Sequence, residues 1–520
     1  MEYINGTIVA LYLAAMLIFG WWGKSRTKNS SDYLVAGRRL GPFLYTGTMA
    51  AVVLGGASTV GGVGLGYKWG ISGMWLVVAI GVGVILLSLV FAPTLQKLKV
   101  FTVSQMLTLR YGSKSATNTS GIVMLAYTLM LCATSTSAYA TIFVVLFGWE
   151  RWAAIAVGGV IVVIYSTIGG MWSITLADQV QFVIKTIGIF ALMLPFALNA
   201  AGGMDGIRDR LGEQFFTWNG IGTQTIITYF VVYTLGLLIG QDIWQRVFTA
   251  KTPTVARWGG TTAGIYCVLY GAAGAIIGMA AKVALPDIIG ADSNKDVVYA
   301  EVATQLLPVA VGGLVLAAAV AAMMSTASGA LIAAATVART DVTPFVASWF
   351  GKDIKVNSNE NPEHDVRANR VWVLVLGLVT ILLAIMVSDV VAALTIAYDI
   401  LVGGLLVAIL GGLLWKRGNG IGAASSMAAG TIVTLGTMIT LEIQAENRFD
   451  GVYANEPIYF GLVASLLVYV VVSLLTPPTE RHVIAHWNDR VAGRLDVEGA
   501  SFEDVEATAA PSAGKGTHNR

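Results

Sequence analysis

Long, uninterrupted runs of apolar residues are the feature that most constrains this chain. An α-helix needs about 20 such residues to cross a bilayer, and the runs here reach that length repeatedly. Hydrocarbon offers no partner for backbone N–H and C=O groups, so the runs must be helices, whose hydrogen bonds are internal. Of the 520 residues, 56% are apolar and 12% are charged, which leaves too few charges to cover a soluble globule of this size. The sequence therefore predicts an all-α, polytopic membrane protein.

The apolar runs predict thirteen transmembrane helices. The first helix is followed, not preceded, by basic residues, so it is a retained helix and not a cleaved secretory signal. Most of the 32 Lys and Arg residues fall in alternate loops, which become cytoplasmic if the N-terminus is outside and the C-terminus inside. The predicted helices are 5–23, 42–67, 71–95, 119–147, 152–172, 179–200, 224–245, 259–284, 306–336, 371–388, 390–415, 421–443 and 457–477.

Two segments follow from this map. Residues 1–477 form a transmembrane domain in the plasma membrane. Residues 478–520 form a polar cytoplasmic tail, which is rich in Ala, Gly and Glu and is predicted to be disordered.

Two predicted helices carry glycine-rich interruptions. Residues 54–64, in the second helix, hold five glycines and two hydroxyl residues, and each glycine costs roughly 0.8–1 kcal/mol relative to alanine in a helix. In the seventh helix, Gly236 and Gly240 lead into Gln241 and Asp242. Close packing of helices through small residues is one interpretation. The other is an unwound stretch that faces a cavity and binds a cation or a substrate.

The spacing of these interruptions favours the second interpretation. The seventh helix starts five helices after the second, and because five is odd, two five-helix units would lie in opposite orientations. The predicted repeats are 42–200 and 224–415, within a core at about 42–415. Interrupted helices at matching positions of inverted halves are typical of the substrate site of a transporter. The predicted substrate-binding residues are Ser58, Thr59, Gly61, Tyr233, Gly240, Gln241, Asp242 and Asp399.

The ninth helix carries hydroxyl groups on one face. The Ala322 carbonyl and the Ser325 and Thr326 hydroxyls share a face at i, i+3 and i+4, and oxygen ligands suit a small hard cation. The alternative is that both hydroxyls bond back to their own helix. Intramembrane charges are rare and usually functional. Asp178, Lys185 and Asp399 could each be one half of a structural ion pair, and Asp399 could instead receive a cationic or amino-bearing substrate.

Five motifs, in order and over about residues 1–420, resemble those of the sodium:solute symporter family. They resemble the family's "DY-x-x-AGR", its third inside motif, its "Y-x-x-x-GG … D-x-x-Q" run, a Gln-Arg pair and a hydroxyl pair. The matching stretches are Ser31 to Arg38, Thr102 to Gly112, Tyr165 to Gln179, Gln245-Arg246 and Ser325-Thr326.

The resemblance implies a LeuT-type core built from the second to the eleventh helix, and alternating access driven by sodium. It implies a sodium site made by carbonyls of Ala57 and Val60 together with Ala322, Ser325 and Thr326. It also implies a second sodium site at Asp178, Ser325 and Ser328, although Gly329 stands where relatives with that site carry another hydroxyl. Proline carriers of the family have an aspartate at the position of Thr59.

The sequence thus predicts a secondary transporter that carries a small organic solute into the cell with sodium. The solute would be an amino acid, another nitrogen-bearing compound or a short carboxylate. A proton-coupled symporter using Asp178 or Asp399 is one alternative, and a channel or receptor without coupled transport is another. No catalytic constellation or P-loop is present, so we expect no enzyme activity and no cofactor beyond sodium as the coupling ion. The partners are solute, sodium and lipid, not nucleic acid, and the oligomeric state is not predicted.

Overall fold

The computed structural model describes residues 2–288, 295–352, 361–386 and 389–495, together with 354, 356 and 497. Within these ranges the chain is helical and forms no strand. Among the described residues, ten helices are long and apolar enough to cross a membrane, or up to eleven if one bent pair is counted as a span. Two of the ten, Ala57–Lys97 and Arg151–Ala201, each run through two predicted helices. The chain is therefore a multi-pass membrane protein, and the count of thirteen and the inverted repeats stay predictions.

The longer helices follow the predicted map within a few residues at most boundaries. They are Glu2–Arg26, Lys114–Phe147, Arg151–Thr186, Pro253–Ala284, Val309–Val337, Pro362–Met386, Val390–Leu414, Gly420–Gln444 and Glu456–Leu475. Shorter α-helices are Ser30–Val35, Pro42–Val53, Gly62–Trp69, Trp75–Leu86, Ala92–Lys97, Val103–Tyr111, Leu194–Ala201, Gly203–Leu211, Thr223–Tyr229, Leu235–Leu237, Gln241–Thr249, Val298–Gln305, Thr343–Trp349, Asp450–Tyr453 and Arg481–Ala492. Turns of π-helix are Ala57–Gly61, Leu87–Phe91, Ile187–Met193, Phe230–Thr234 and Ala338–Val342. Turns of 3₁₀-helix are Ala36–Arg38, Gly70–Met74, Glu213–Phe216 and Lys295–Val297.

A sharp turn interrupts the longest helical run. Arg151–Ala201 spans 51 residues, or roughly 75 Å at 1.5 Å per residue, which is more than twice the hydrocarbon thickness. Gly170 breaks this run with φ 58° and ψ −146°, a conformation that only glycine adopts readily. A side chain at Gly170 would also lie 2.7 Å from the Tyr33 carbonyl oxygen. Glycine at this position therefore permits both the turn and the close packing of the segment around Tyr33.

The helices of the core pack in two groups. In the first group, Pro253–Ala284 packs along Trp75–Leu86. It also packs along Pro42–Val53 and Gly62–Trp69, the two halves of the interrupted second helix of the predicted map. In the second, Val309–Val337 packs along Lys114–Phe147 and Arg151–Thr186, and every residue from 315 to 337 is buried. The second helix touches both groups, so its interruption lies at their junction.

The described part of the polar tail contains a helix that was not predicted. Arg481–Ala492 buries Val483, His486, Trp487 and Arg490, a spacing that places all four on one face of a helix. The Arg490 guanidinium donates to the Leu98 carbonyl at 3.0 Å. The prediction of a disordered tail did not foresee this helix, whose apolar face is short and lies among charged residues; disorder at the end of the tail stays a prediction. Residues 498–520 lie outside the described residues.

Glycine allows the helices of the first group to pack backbone against backbone. A methyl group at Gly278 would lie 2.3 Å from the Val63 carbonyl oxygen and 2.4 Å from the Tyr67 nitrogen. We expect Gly278→Ala to lower the free energy of unfolding by about 1–3 kcal/mol, the usual cost of overpacking. Thermal denaturation of the purified protein in detergent measures this. Gly436→Ala is the matched control, since nothing lies within 4 Å of that position; equal stability of the two variants would contradict the packing argument.

Candidate functional site

The second helix is broken at the position that its glycines predict. Pro42–Val53 ends at Leu54, whose φ of −94° and ψ of 74° are not helical, and the chain resumes as a π-turn at Ala57–Gly61. A Cβ at Gly55 would lie 2.6 Å from the Thr326 hydroxyl, and one at Gly56 would lie 2.2 Å from the Ala138 side chain. The glycines therefore allow the broken segment to contact the fourth and ninth helices directly.

Side chains from neighbouring helices satisfy the backbone carbonyls at this break. The Lys185 ammonium donates to the Ala50 and Ala51 carbonyls at 3.0 and 3.1 Å, and the Thr326 hydroxyl donates to the Val52 carbonyl at 2.6 Å. These carbonyls lie at the end of Pro42–Val53, where a helix leaves its last acceptors unpaired and presents partial negative charge. Lys185 thus pairs with carbonyls, where an ion pair had been one expectation.

The Ser325 and Thr326 hydroxyls are both oriented by acceptors on other helices. The Ser325 hydroxyl donates to Asp178 Oδ1 at 2.6 Å, while Thr326 donates to Val52. Carboxylate and carbonyl oxygens accept these hydrogens, so the lone pairs of each hydroxyl are left free to face a cation. The alternative interpretation, in which both hydroxyls bond to carbonyls of their own helix, does not hold for Ser325 or Thr326. The Ser328 hydroxyl does form such a bond, to the Ser325 carbonyl at 3.1 Å.

A cavity of about 20 Å³ adjoins the break. We call it the small cavity; it is large enough for about one water-sized particle. It is lined by Val52, Val53, Gly55, Gly56, Ala57, Ser58, Ile80, Leu131, Thr134, Ser135, Asp242, Ile243, Thr326, Leu394 and Tyr398. Of the predicted sodium ligands, Ala57 and Thr326 line this cavity. Val60, Ala322 and Ser325 are buried but do not line it.

A second cavity, of about 1070 Å³, lies at the end of the bundle that carries Trp69 and Lys295. We call it the vestibule. Its charged lining residues are Lys68, Lys282, Lys295, Arg448, Asp389 and Asp399. Tyr233 and Asp399, both predicted to bind substrate, line it. The Asp399 carboxyl is almost wholly buried, and its Oδ1 finds no hydrogen-bond partner within the described parts of the chain.

Three tyrosine rings, which we call the tyrosine layer, separate the two cavities. The Tyr398 ring packs on the Tyr127 ring at 5.6 Å between centroids and on the Tyr233 ring at 5.3 Å. Tyr398 lines the small cavity and Tyr233 the vestibule. Sequence reasoning missed Tyr398 and Tyr127, although the position of Tyr398 beside the intramembrane Asp399 was a usable signal.

The remaining predicted substrate residues have other partners. The Gln241 amide donates to the Phe101 carbonyl at 2.9 Å and accepts from the Val103 nitrogen at 2.8 Å. The Thr59 hydroxyl bonds the Tyr270 hydroxyl at 3.1 Å. Gly61 and Gly240 face neighbouring helices. A Cβ at Gly61 would meet the Val391 side chain, and one at Gly240 would meet the Tyr127 hydroxyl. These four residues line neither of the two cavities.

The seventh helix is also interrupted, as predicted. Thr223–Leu237 and Gln241–Thr249 meet at a bend of 44°, with Gly240 in an extended conformation. Directly after the bend, the Asp242 carboxylate accepts from the Tyr127 hydroxyl at 2.9 Å and lines the small cavity. The bend therefore brings Asp242 next to the break in the second helix.

Asp178 is the centre of a fully buried polar cluster. It accepts hydrogen bonds from Ser325 and Thr48, and Arg246 Nη2 lies 3.4 Å from its Oδ2. Sequence reasoning expected a partner for Asp178 but did not identify Arg246. An intramembrane carboxylate needs such a partner, and Arg246 was the nearby cation already named in a motif. Ser328, the third predicted residue of a second sodium site, forms no hydrogen bond with Asp178; its hydroxyl donates to the Ser325 carbonyl of its own helix.

An ion pair crosses the rim of the vestibule. Lys295 Nζ lies 3.2 Å from Asp389 Oδ2, and the Tyr453 hydroxyl donates to Asp389 Oδ1 at 2.8 Å. Burial alone would raise the pKa of Asp389, but the Lys295 ammonium and the Ala392 amide outweigh it and hold that pKa below its ordinary value. The carboxylate is therefore charged at neutral pH, and the rim stays paired.

The chain is similar to members of one family of transporters and to solved structures of symporters. The model of the sodium:solute symporter family matches residues 33–430. Sodium/proline symporters of Staphylococcus aureus strains are 24% identical over 491 residues, covering 90% of this chain and 92% of theirs. The structure of a Na⁺-coupled sialic acid symporter in a substrate-bound outward-open state superposes with a TM-score of 0.75 at 19% identity, covering 92% of this chain and 99% of the other. Mhp1, a nucleobase-cation-symport-1 family transporter, gives a TM-score of 0.51 at 17% identity, covering 89% and 99%.

These matches confirm the LeuT-type fold expected from the motifs. The matched family and relatives are transporters and not enzymes. A family match over residues 33–430 takes in the broken second helix, the Asp178 cluster and the hydroxyl pair of the ninth helix. The chain belongs to the sodium:solute symporter family.

Proposed function

We propose that this symporter carries a small nitrogen-bearing solute into the cell, together with sodium, by alternating access. The observation that carries the proposal is the orientation of the Ser325 and Thr326 hydroxyls. Their hydrogens are taken by Asp178 and Val52, so two oxygens on one helical face are prepared to accept a cation. Carbonyls of Ala57, Val60 and Ala322 complete the shell in this proposal, and all five ligands are neutral.

A neutral shell suits release of the ion. Without a carboxylate in direct contact, sodium is held weakly and can leave into a cytoplasm that contains little of it. A membrane potential of about 100 mV adds roughly 2.3 kcal/mol per charge moved inward. In the proposed orientation the vestibule opens to the outside, so sodium and solute enter there and the two groups of helices then rock to open the other end.

The charges of the vestibule support a zwitterionic solute such as an amino acid. The unpaired Asp399 Oδ1 is an acceptor for an ammonium or imino group, because a buried carboxylate without a partner is costly. Lys68, Lys282 and Arg448 line the approach and attract a carboxylate. The similar proteins described above are named as symporters of proline and of sialic acid, and both of these compounds carry a carboxylate. The tyrosine layer would part to admit the solute toward Ser58 and Asp242.

Proton coupling is the second candidate, and the same Asp399 favours it. A carboxylate without a partner can be neutralised by a proton instead of by the ammonium group of a bound solute. The two candidates differ in whether uptake at fixed pH needs sodium.

Removal of either hydroxyl tests the sodium site without knowledge of the solute. We expect Ser325→Ala and Thr326→Ala each to weaken ²²Na⁺ binding to the purified protein by about tenfold or more, since a hydrogen-bond-type contact to a charged group is worth about 1.5–3 kcal/mol. Equilibrium binding with scintillation counting measures the affinity. Thr431→Ala is the matched control, because that hydroxyl donates to the Met427 carbonyl of its own helix. Unchanged affinity in both site variants would contradict the site.

Uptake by proteoliposomes tests the coupling and the solute class. With labelled proline, other amino acids, sialic acid and short carboxylates, we expect uptake of at least one amino-bearing member that requires an inward sodium gradient. Replacing sodium by choline at fixed pH should abolish it. Uptake that is equal in choline and responds to a pH gradient would show that the coupling ion is the proton and not sodium.

The Asp399 contact is tested in the same assay. Asp399→Asn should abolish uptake of the amino-bearing solute and leave ²²Na⁺ binding intact, because Asp399 is not among the sodium ligands. Asp287→Asn, at an exposed position, is the control for a lost carboxylate. Wild-type uptake by Asp399→Asn would contradict the proposed contact.

A further inference from the structure

The Asp178 carboxylate already has a permanent cation beside it. Arg246 Nη2 lies 3.4 Å from Asp178 Oδ2, and both side chains are fully buried. Arg246 Nη1 points at the Met171 sulfur at 3.2 Å. A guanidinium keeps its charge in proteins, so this positive charge cannot leave by deprotonation.

Both oxygens of the carboxylate are engaged. Oδ1 accepts from the Ser325 hydroxyl at 2.6 Å, and Oδ2 accepts from the Thr48 hydroxyl and faces Arg246. These donors come from three separate segments of the chain, so the cluster is closed around Asp178. A sodium ion added here would have to displace one of them and would lie next to a like charge in a medium of low dielectric constant, where repulsion is strong.

Gly329 provides the space that the guanidinium occupies. A Cβ built at Gly329 would lie 2.9 Å from Arg246 Nη2 and 2.6 Å from the Val52 side chain. A hydroxyl residue at 329 would therefore require the Arg246 guanidinium to shift and would offer an additional oxygen at the same point. The residue at position 329 thus decides which cation lies beside Asp178: the Arg246 guanidinium, or a sodium ion with an added hydroxyl ligand.

We infer that Arg246 is a resident cation that takes the place of a second sodium ion, and that this symporter binds one sodium per cycle. The inference rests on the proposed sodium site at Ala57, Val60, Ala322, Ser325 and Thr326. It replaces the second sodium site expected at Asp178, Ser325 and Ser328. Because the guanidinium is covalently attached, it balances the charge of Asp178 in every state and adds nothing to the sodium-driven force.

The number of sodium ions bound per chain tests the inference. We expect saturation binding of ²²Na⁺ to the purified full-length protein to give one ion per chain, and Arg246→Lys, which keeps the charge, also to give one. Gly329→Ser and Arg246→Gln should each gain a second ion. A purely structural role for Arg246 would change stability and leave this number at one.

The outcomes separate the inference from the proposed function. Two ions in the wild type, with one of them lost in Thr326→Ala, would overturn the inference and leave the proposed function standing. No bound sodium in the wild type would overturn both. One ion in the wild type and in both Gly329→Ser and Arg246→Gln would overturn the role of Arg246. If those variants do not fold, the wild-type number decides: one ion supports the inference and two overturn it.

Discussion

Backbone carbonyls that cannot be left open in a low-dielectric interior determine this structure. Where the second helix breaks, its last carbonyls lose their helical partners, and lipid cannot replace them. Lys185 takes two of them and Thr326 takes the third. The position of the ninth helix, the need for glycine at Gly55 and the orientation of the hydroxyl pair all follow from these contacts.

The same break connects the two groups of helices to the two cavities. Val309–Val337, in one group, contacts the break through Thr326, and Pro253–Ala284, in the other, packs along both of its halves. A ligand bound at the break would thus contact both groups, which is how ion binding can favour one arrangement over another. The tyrosine layer around Tyr398 lies between this point and the vestibule, where a solute coming from the vestibule would meet it.

The sequence predicted the local elements of the site better than its long-range pairings. Glycine content located the break at Gly55, and helical periodicity placed Thr326 on the face that meets this break, because both are properties of a short segment. The pairing of Arg246 with Asp178 joins segments 68 residues apart, which no periodicity encodes. Gln241 shows the same limit: its motif predicted a substrate contact, whereas its amide holds the backbone at Phe101. Among charged residues, the apolar face of Arg481–Ala492 was too short to stand out.

The most direct test is a high-resolution structure of the purified protein, determined in parallel in sodium chloride and in choline chloride. The account predicts one additional density in sodium, enclosed by the Thr326 hydroxyl, the Ser325 hydroxyl and the Ala57 carbonyl, with Arg246 still beside Asp178. Identical maps in the two salts, or an ion bound elsewhere with this position filled by protein, would contradict it.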